Sequence, residues 1–211
     1  LKLIDAGKKI IVFDINDEWS AMRFNLDGSK SNYYDRIFKV DPGVNASFDL
    51  SYLGRLVFTS VLKAMKVEET SATMQTLLNL WTQLEDEGSL SLSSLKDQVQ
   101  YTQEKVREAL WIRLSQLESS GIISSEAKGT RIESLLDDKA LTKGGLLVVN
   151  LKDKTKITQF IIVQLFISKL ANILSNPQAE SLMLILEEAQ TYMTHADIEE
   201  VVTRLRHLGL H

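Results

Sequence analysis

Five consecutive apolar residues, Leu182–Leu186, run straight into two adjacent acids, Glu187 and Glu188. An unbroken apolar run of this length suits a strand buried on both faces of a parallel sheet, because a strand wetted on one face alternates apolar and polar side chains. Acids that begin where such a strand ends sit at the carboxyl edge of the sheet. In open α/β sheets that edge is where ligands bind. The stretch 181–195 therefore predicts a fold class and also the place to look for chemistry.

Other segments supply the frame. Residues 9–13 are short, apolar and β-branched, and they end on Asp14. Residues 146–151 form a second clear apolar run after Gly144 and Gly145. A turn-rich stretch, 25–47, holds Asp27-Gly28 and Asp41-Pro42-Gly43, with a short strand expected over 36–40. Residues 1–5 read as the last turn of a helix closing on Gly7. Helical spacing predicts a helix over 48–66, with Leu53, Leu56, Val57, Leu62 and Met65 on one face, and another over 71–85. A third is expected over 94–119, opened by a Ser94–Asp97 capping box and closed at Gly121. A long helix precedes Asn176-Pro177, and a last one covers 199–208. Apolar strands separated by helices predict an α/β architecture with a mainly parallel sheet.

Composition narrows the function classes. With 24 Lys plus Arg against 28 Asp plus Glu, the net charge is −4, so a chain coated in nucleic-acid-binding charge is not expected, although a local basic groove is not excluded. The chain has no cysteine, hence no disulfide framework and no thiolate metal site. No signal peptide is read at the N-terminus. The apolar segment 157–174 is interrupted by Gln159, Gln164, Ser168, Lys169 and Asn172, and is expected to be a buried helix of a soluble protein rather than a membrane span.

The chemistry concentrates in few places. Glu187 and Glu188 lie where one acid can enter a metal shell and another can orient a water, or they are a solvated pair at a loop start. Arg204 and Arg206 lie two apart on a helix; one could reach a neighbouring subunit's phosphates, or Arg204 could pair with Glu200 at i, i+4. Lys152, Lys154 and Lys156 follow a strand and read as a phosphate-contacting or simply solvated loop. His195, His207 and His211 have no metal-ligand spacing with a Cys or carboxylate partner. No G-x-S-x-G elbow and no Ser-His-Asp order occurs. The phosphate cradle G-x-x-x-x-G-K-[ST] is also absent, since the Gly7-Lys8 pair has neither the following Ser or Thr nor the earlier glycine.

Taken together, VFDINDEW (12–19), DPGVNASFDL (41–50), GGLLVVNL (144–151), LMLILEEAQTYM (182–193) and EEVVTRLRHLGL (199–210) resemble, in order, the pieces of a HerA-type ATPase. These enzymes belong to the HerA/FtsK branch of RecA-like P-loop translocases. The resemblance implies a RecA-like core in two parts, 1–66 and 131–211, around a helical insertion, 67–130, and a P-loop lying outside the chain. It implies ATP and Mg²⁺ as cofactors, with Glu187 in the Mg²⁺ shell and Glu188 as catalytic base. Asp14, Glu18 and Gln190 would lie near the nucleotide, and Arg204 or Arg206 would be the finger acting in trans. The parent would be a cytoplasmic homo-hexameric ring moving double-stranded DNA, in end processing or in an anti-phage complex with a nuclease or effector subunit. The same pieces occur in conjugation, type IV secretion and viral packaging motors, and a non-catalytic scaffold would also retain the fold. The chain departs from the pattern with Asp17 in place of glycine and Gln190 in place of histidine.

Overall fold

The computed structural model describes residues 1–68, 71–124, 129–137, 141, 143–176, 182–194, 199 and 203. Among them, strands β1 (Lys9–Asp14), β2 (Ile37–Val40), β3 (Gly145–Asn150) and β4 (Leu182–Leu186) form one sheet in the order β2-β3-β1-β4. Every pairing is parallel, and Val12 registers with Val148 on one side and Ile185 on the other. All four strands therefore present their carboxyl ends to one edge. The architecture is α/β, as the three apolar runs predict. The short strand expected over 36–40 is β2, which pairs with β3 at one edge of the described sheet.

Alternation along the strands divides the apolar side chains between two faces. Ile11, Phe13, Val40, Leu147, Val149 and Leu182 point into the larger core, which continues without interruption into the helices. Ile10, Val12, Ile37, Leu146 and Val148 point to the other face, where Ile4, Trp19, Met22 and Tyr33 cover them. α1 (Lys2–Asp5) supplies Ile4 to that second face and closes at Gly7, which takes φ 77°. On the larger face lie α2 (Leu50–Ala64), α3 (Ala72–Asp86), α4 (Leu92–Val99), α5 (Glu104–Ser119), α6 (Ile132–Leu136) and α7 (Lys156–Leu174). α7 starts on Thr155, whose side chain accepts from the Thr158 N–H, and it packs along α2. It is long and apolar enough to cross a membrane, yet it is mostly buried inside the fold, with Ile161, Ile162, Val163 and Phe166 sealed from solvent.

Several expectations are corrected. β4 is not buried on both faces: only Leu182 is fully covered, and the next four residues are half-exposed, because β4 pairs only with β1 among the described residues. The single helix expected over 94–119 is two, α4 and α5, separated by residues 100–103. Its cap is Ser91, whose side chain accepts from the Ser94 N–H, rather than Ser94. Leu56 does not share the apolar face of α2; it is 79% exposed. The short helix α6 has no counterpart among the expected elements. The helix expected over 199–208 lies outside the described residues apart from residues 199 and 203.

Candidate functional site

The carboxyl edge is built from the residues that end each strand. β1 ends on Asp14, which is completely buried. Its carboxylate accepts from the backbone N–H groups of Asn16 at 3.1 Å, Glu18 at 3.3 Å and Trp19 at 3.0 Å. A buried carboxylate without such donors would be costly, so these bonds fix the loop 15–19 into a tight turn over the strand end. The turn delivers Trp19 to the start of the 3₁₀ turn Trp19–Arg23 and leaves Glu18 exposed.

β4 ends beside this loop. The Glu187 N–H donates to the Phe13 carbonyl at 3.3 Å, extending the parallel pairing by one residue. Its carboxylate then accepts from both ends of the loop: Oε2 takes the Ile15 N–H at 3.1 Å, and Oε1 takes the indole N–H of Trp19 at 3.3 Å. Each oxygen keeps capacity for another partner. Glu188 follows in a left-handed conformation, φ 46° and ψ 39°, with its side chain exposed. A non-glycine residue held there sends the chain sharply away from the strand direction. The two glutamates therefore diverge, Glu187 toward the β1 loop and Glu188 toward solvent. Gln190 is exposed on the 3₁₀ turn Ala189–Thr191 that comes next. Tyr192 beside it is buried with an unpartnered hydroxyl, and burial together with the Glu187 charge pushes its pKa up.

Toward the other side of the edge, Asn150 at the end of β3 donates from its amide to Asp41, just past β2. Lys39 reaches Asp17 at 2.9 Å and Asp41 at 3.8 Å, tying the β1 loop to the end of β2. The Lys39 ammonium holds the Asp17 carboxyl below its ordinary value, and Asp17 in return raises Lys39. Lys154 donates to the Pro42 carbonyl at 2.9 Å, giving that lysine a structural contact.

The structure thus brings Asp14, Glu18, Glu187, Glu188 and Gln190 to one edge. Asp14 acts on the loop backbone, with no exposed surface of its own. Arg204, Arg206 and the three histidines lie outside the described residues. Sequence reasoning missed Ile15 and Trp19 as partners of Glu187, because contacts spanning 172 and 168 positions leave no local pattern. Among the described residues no three His, Cys, Asp or Glu side chains are grouped to hold a metal. A cation here fits only as Mg²⁺ is held with phosphorylated substrates, through one or two carboxylates completed by water and phosphate oxygens.

The fold is similar to that of several solved structures. The plasmid coupling protein TrwB in complex with the ATP analogue ADPNP matches with a TM-score of 0.64 and 15% identity, over 97% of this chain and 56% of that one. TrwB in complex with ADP and Mg²⁺ matches at 0.61 and 15%, over 97% and 55%. VirB4 of Thermoanaerobacter pseudethanolicus matches at 0.55 and 12%, over 96% and 85%. This chain therefore spans a little over half the length of the TrwB chains. No protein-family model and no curated protein matches the sequence. At these identities the likeness establishes the RecA-like α/β fold.

Proposed function

We propose that this chain is the central part of an ATP-driven motor that moves DNA, of the conjugative coupling kind. The observation that carries the reading is the paired glutamates at the carboxyl edge of a sheet whose fold matches TrwB over 97% of the chain. TrwB has been solved with both ADPNP and ADP plus Mg²⁺. In this reading Glu187 would help hold the hydrated Mg²⁺ of the nucleotide, and Glu188, turned away from the strand direction, would act as the base toward the attacking water. Bound Mg²⁺ would supply charge neutralisation on the phosphates. The phosphate cradle has no counterpart in the 211 residues and belongs, in this reading, to polypeptide beyond them. Arg204 or Arg206 would complete a neighbouring subunit's site in a ring, the hexamer being the expected form.

The conjugative reading takes precedence over end processing or anti-phage defence with a nuclease or effector partner, because coupling proteins stand among the structural matches. The test is ATP hydrolysis by the full-length protein, with and without double-stranded DNA, beside Glu188→Gln. Stimulation by DNA in the wild type, and a fall of roughly 10²-fold or more in the variant with nucleotide binding retained, supports the motor and the base. A full-length protein that hydrolyses no ATP under either condition would replace the motor with a non-catalytic scaffold.

A further inference from the structure

The turn that follows β4 carries costs that nothing among the described residues offsets. Tyr192 is only 7% exposed, and its hydroxyl has no hydrogen-bond partner there. The Thr191 hydroxyl is buried and unpartnered in the same way. A buried hydroxyl of this kind is destabilising, because it gives up its bonds to water and gains none. Just ahead of both, Glu188 holds φ 46° and ψ 39°, a left-handed backbone that glycine, asparagine and aspartate enter more readily than glutamate.

Helical geometry relates the three positions. The Met193 N–H donates to the Ala189 carbonyl at 2.9 Å, an i to i−4 bond, so a helical turn already begins at Ala189. The Thr191 N–H donates to the Glu188 carbonyl at 2.8 Å, the tighter i to i−3 form. A right-handed φ at Glu188 extends that turn back by one residue. Residues three and four apart in a helix share one face. Thr191 and Tyr192 are the i+3 and i+4 neighbours of Glu188, so the extended turn sets the carboxylate on the face that carries the two hydroxyls without an acceptor. An ionised carboxylate is acceptor only, and its two oxygens have room for both donors. In the conformation seen, Glu188 is exposed instead. One backbone rotation thus removes a left-handed residue and pairs two buried hydroxyls. The opposing cost is dehydration of the Glu188 carboxylate. A divalent cation held at the neighbouring Glu187 would reduce that cost.

We propose that Thr191 and Tyr192 are positioning residues for Glu188: the turn 188–192 switches to a right-handed start in which both hydroxyls donate to the Glu188 carboxylate and hold it for the attacking water. The proposal rests on the ATP-motor reading above. The experiment uses the full-length protein and three variants, Tyr192→Phe and Thr191→Val, which each lose one hydroxyl, and Thr191→Ser, which keeps it. Thermal unfolding without nucleotide comes first. Loss of an unpartnered hydroxyl leaves the midpoint of Tyr192→Phe and of Thr191→Val at or above that of the wild type. Steady-state ATP hydrolysis comes second. In both hydroxyl-less variants kcat falls about 10-fold while KM stays within about 2-fold, the pattern of a contact made after substrate is bound, and Thr191→Ser keeps the wild-type kcat. A lowered midpoint in either hydroxyl-less variant shows that its hydroxyl was already bonded and overturns the switch. So does a kcat that stays at the wild-type level or rises in either of them, or a Thr191→Ser variant that falls as far as Thr191→Val. These results leave the motor reading intact as long as the wild type hydrolyses ATP and Glu188→Gln does not. A wild-type protein without hydrolysis overturns the motor reading and the switch together.

Discussion

Asp17 holds its backbone at φ 60°, a left-handed conformation that glycine enters freely and aspartate tolerates better than most side chains. The resemblance expects glycine at this position, and the backbone explains why: the turn after β1 demands positive φ. Aspartate adds a contact glycine lacks, the 2.9 Å pair with Lys39. Asp17→Ala keeps the unfavourable φ and loses the pair, so it should cost about 1–2 kcal/mol in denaturant unfolding, whereas Asp17→Gly should be within about 0.5 kcal/mol of wild type. Asp17→Asn isolates the charge and should cost about 0–1 kcal/mol at neutral pH. The folded-state pKa of Asp17 is depressed and that of Lys39 raised, the Asp17–Lys39 hydrogen bond being the largest cause of each. The pair therefore contributes fully above the unfolded aspartate value and below the unfolded lysine value. Its contribution disappears as pH falls through the folded Asp17 pKa, and the stability curves of the wild type and the Asp17→Asn variant should converge there. Trp19 acts differently, because its indole N–H is one of the two loop donors to Glu187. Trp19→Phe keeps an aromatic ring and removes that bond. It should cost about 0.5–1.5 kcal/mol of stability, and under the proposed motor function it should lower ATP turnover by the full-length protein while nucleotide affinity stays unchanged.

At the scale of elements, the central helix α7 joins the sheet to the segment ahead of α2 through Phe166, whose ring meets Phe13 of β1 at 5.7 Å and Phe48 at 5.3 Å, both edge-on. Phe166→Ala removes a fully buried ring from three elements at once and should cost about 3–5 kcal/mol, measured as a lower urea midpoint with an unchanged m-value. This element was legible in the sequence because its apolar residues are nearly continuous and a polar stop, Asn176-Pro177, follows. β1 and β3 were legible for the same reason. The α4–α5 break was not, because the apolar spacing runs through it: Leu95, Val99, Val106 and Leu110 are separated by 4, 7 and 4, the period of one unbroken helix. Leu56 was misplaced because leucine counts as core on composition alone, while its angle on the helix sets it opposite Val57, Phe58 and Val61. β4 reads as doubly buried because its five apolar residues match a central strand, and only its pairing partners reveal how much of it stays half-exposed.

Across the whole molecule, the candidate site was legible where one strand carries its signal, Glu187 and Glu188, and illegible where the signal is shared between distant segments, as in the clamp of Glu187 by Ile15 and Trp19. A site shared between subunits carries this one step further, since no single chain contains it. The proposed ring makes that separable by mixing. One variant, Glu188→Gln, lacks the base but keeps its arginines; the other, Arg204→Ala/Arg206→Ala, keeps the base but lacks both fingers. Each alone should hydrolyse ATP at a small fraction of the wild-type rate. Mixed at equal amounts in the full-length protein and allowed to reassemble, half of the sites carry Glu188, and half of those face a neighbour with arginines. An arginine acting in trans therefore restores about one quarter of wild-type hydrolysis. An arginine acting in cis restores none, because every chain then lacks either its base or its finger, and the mixture stays at the level of the two variants measured apart. The same mixture run at a concentration below ring assembly should lose the restored activity while leaving the residual rates unchanged, which ties the recovery to subunit contact rather than to contaminating wild type.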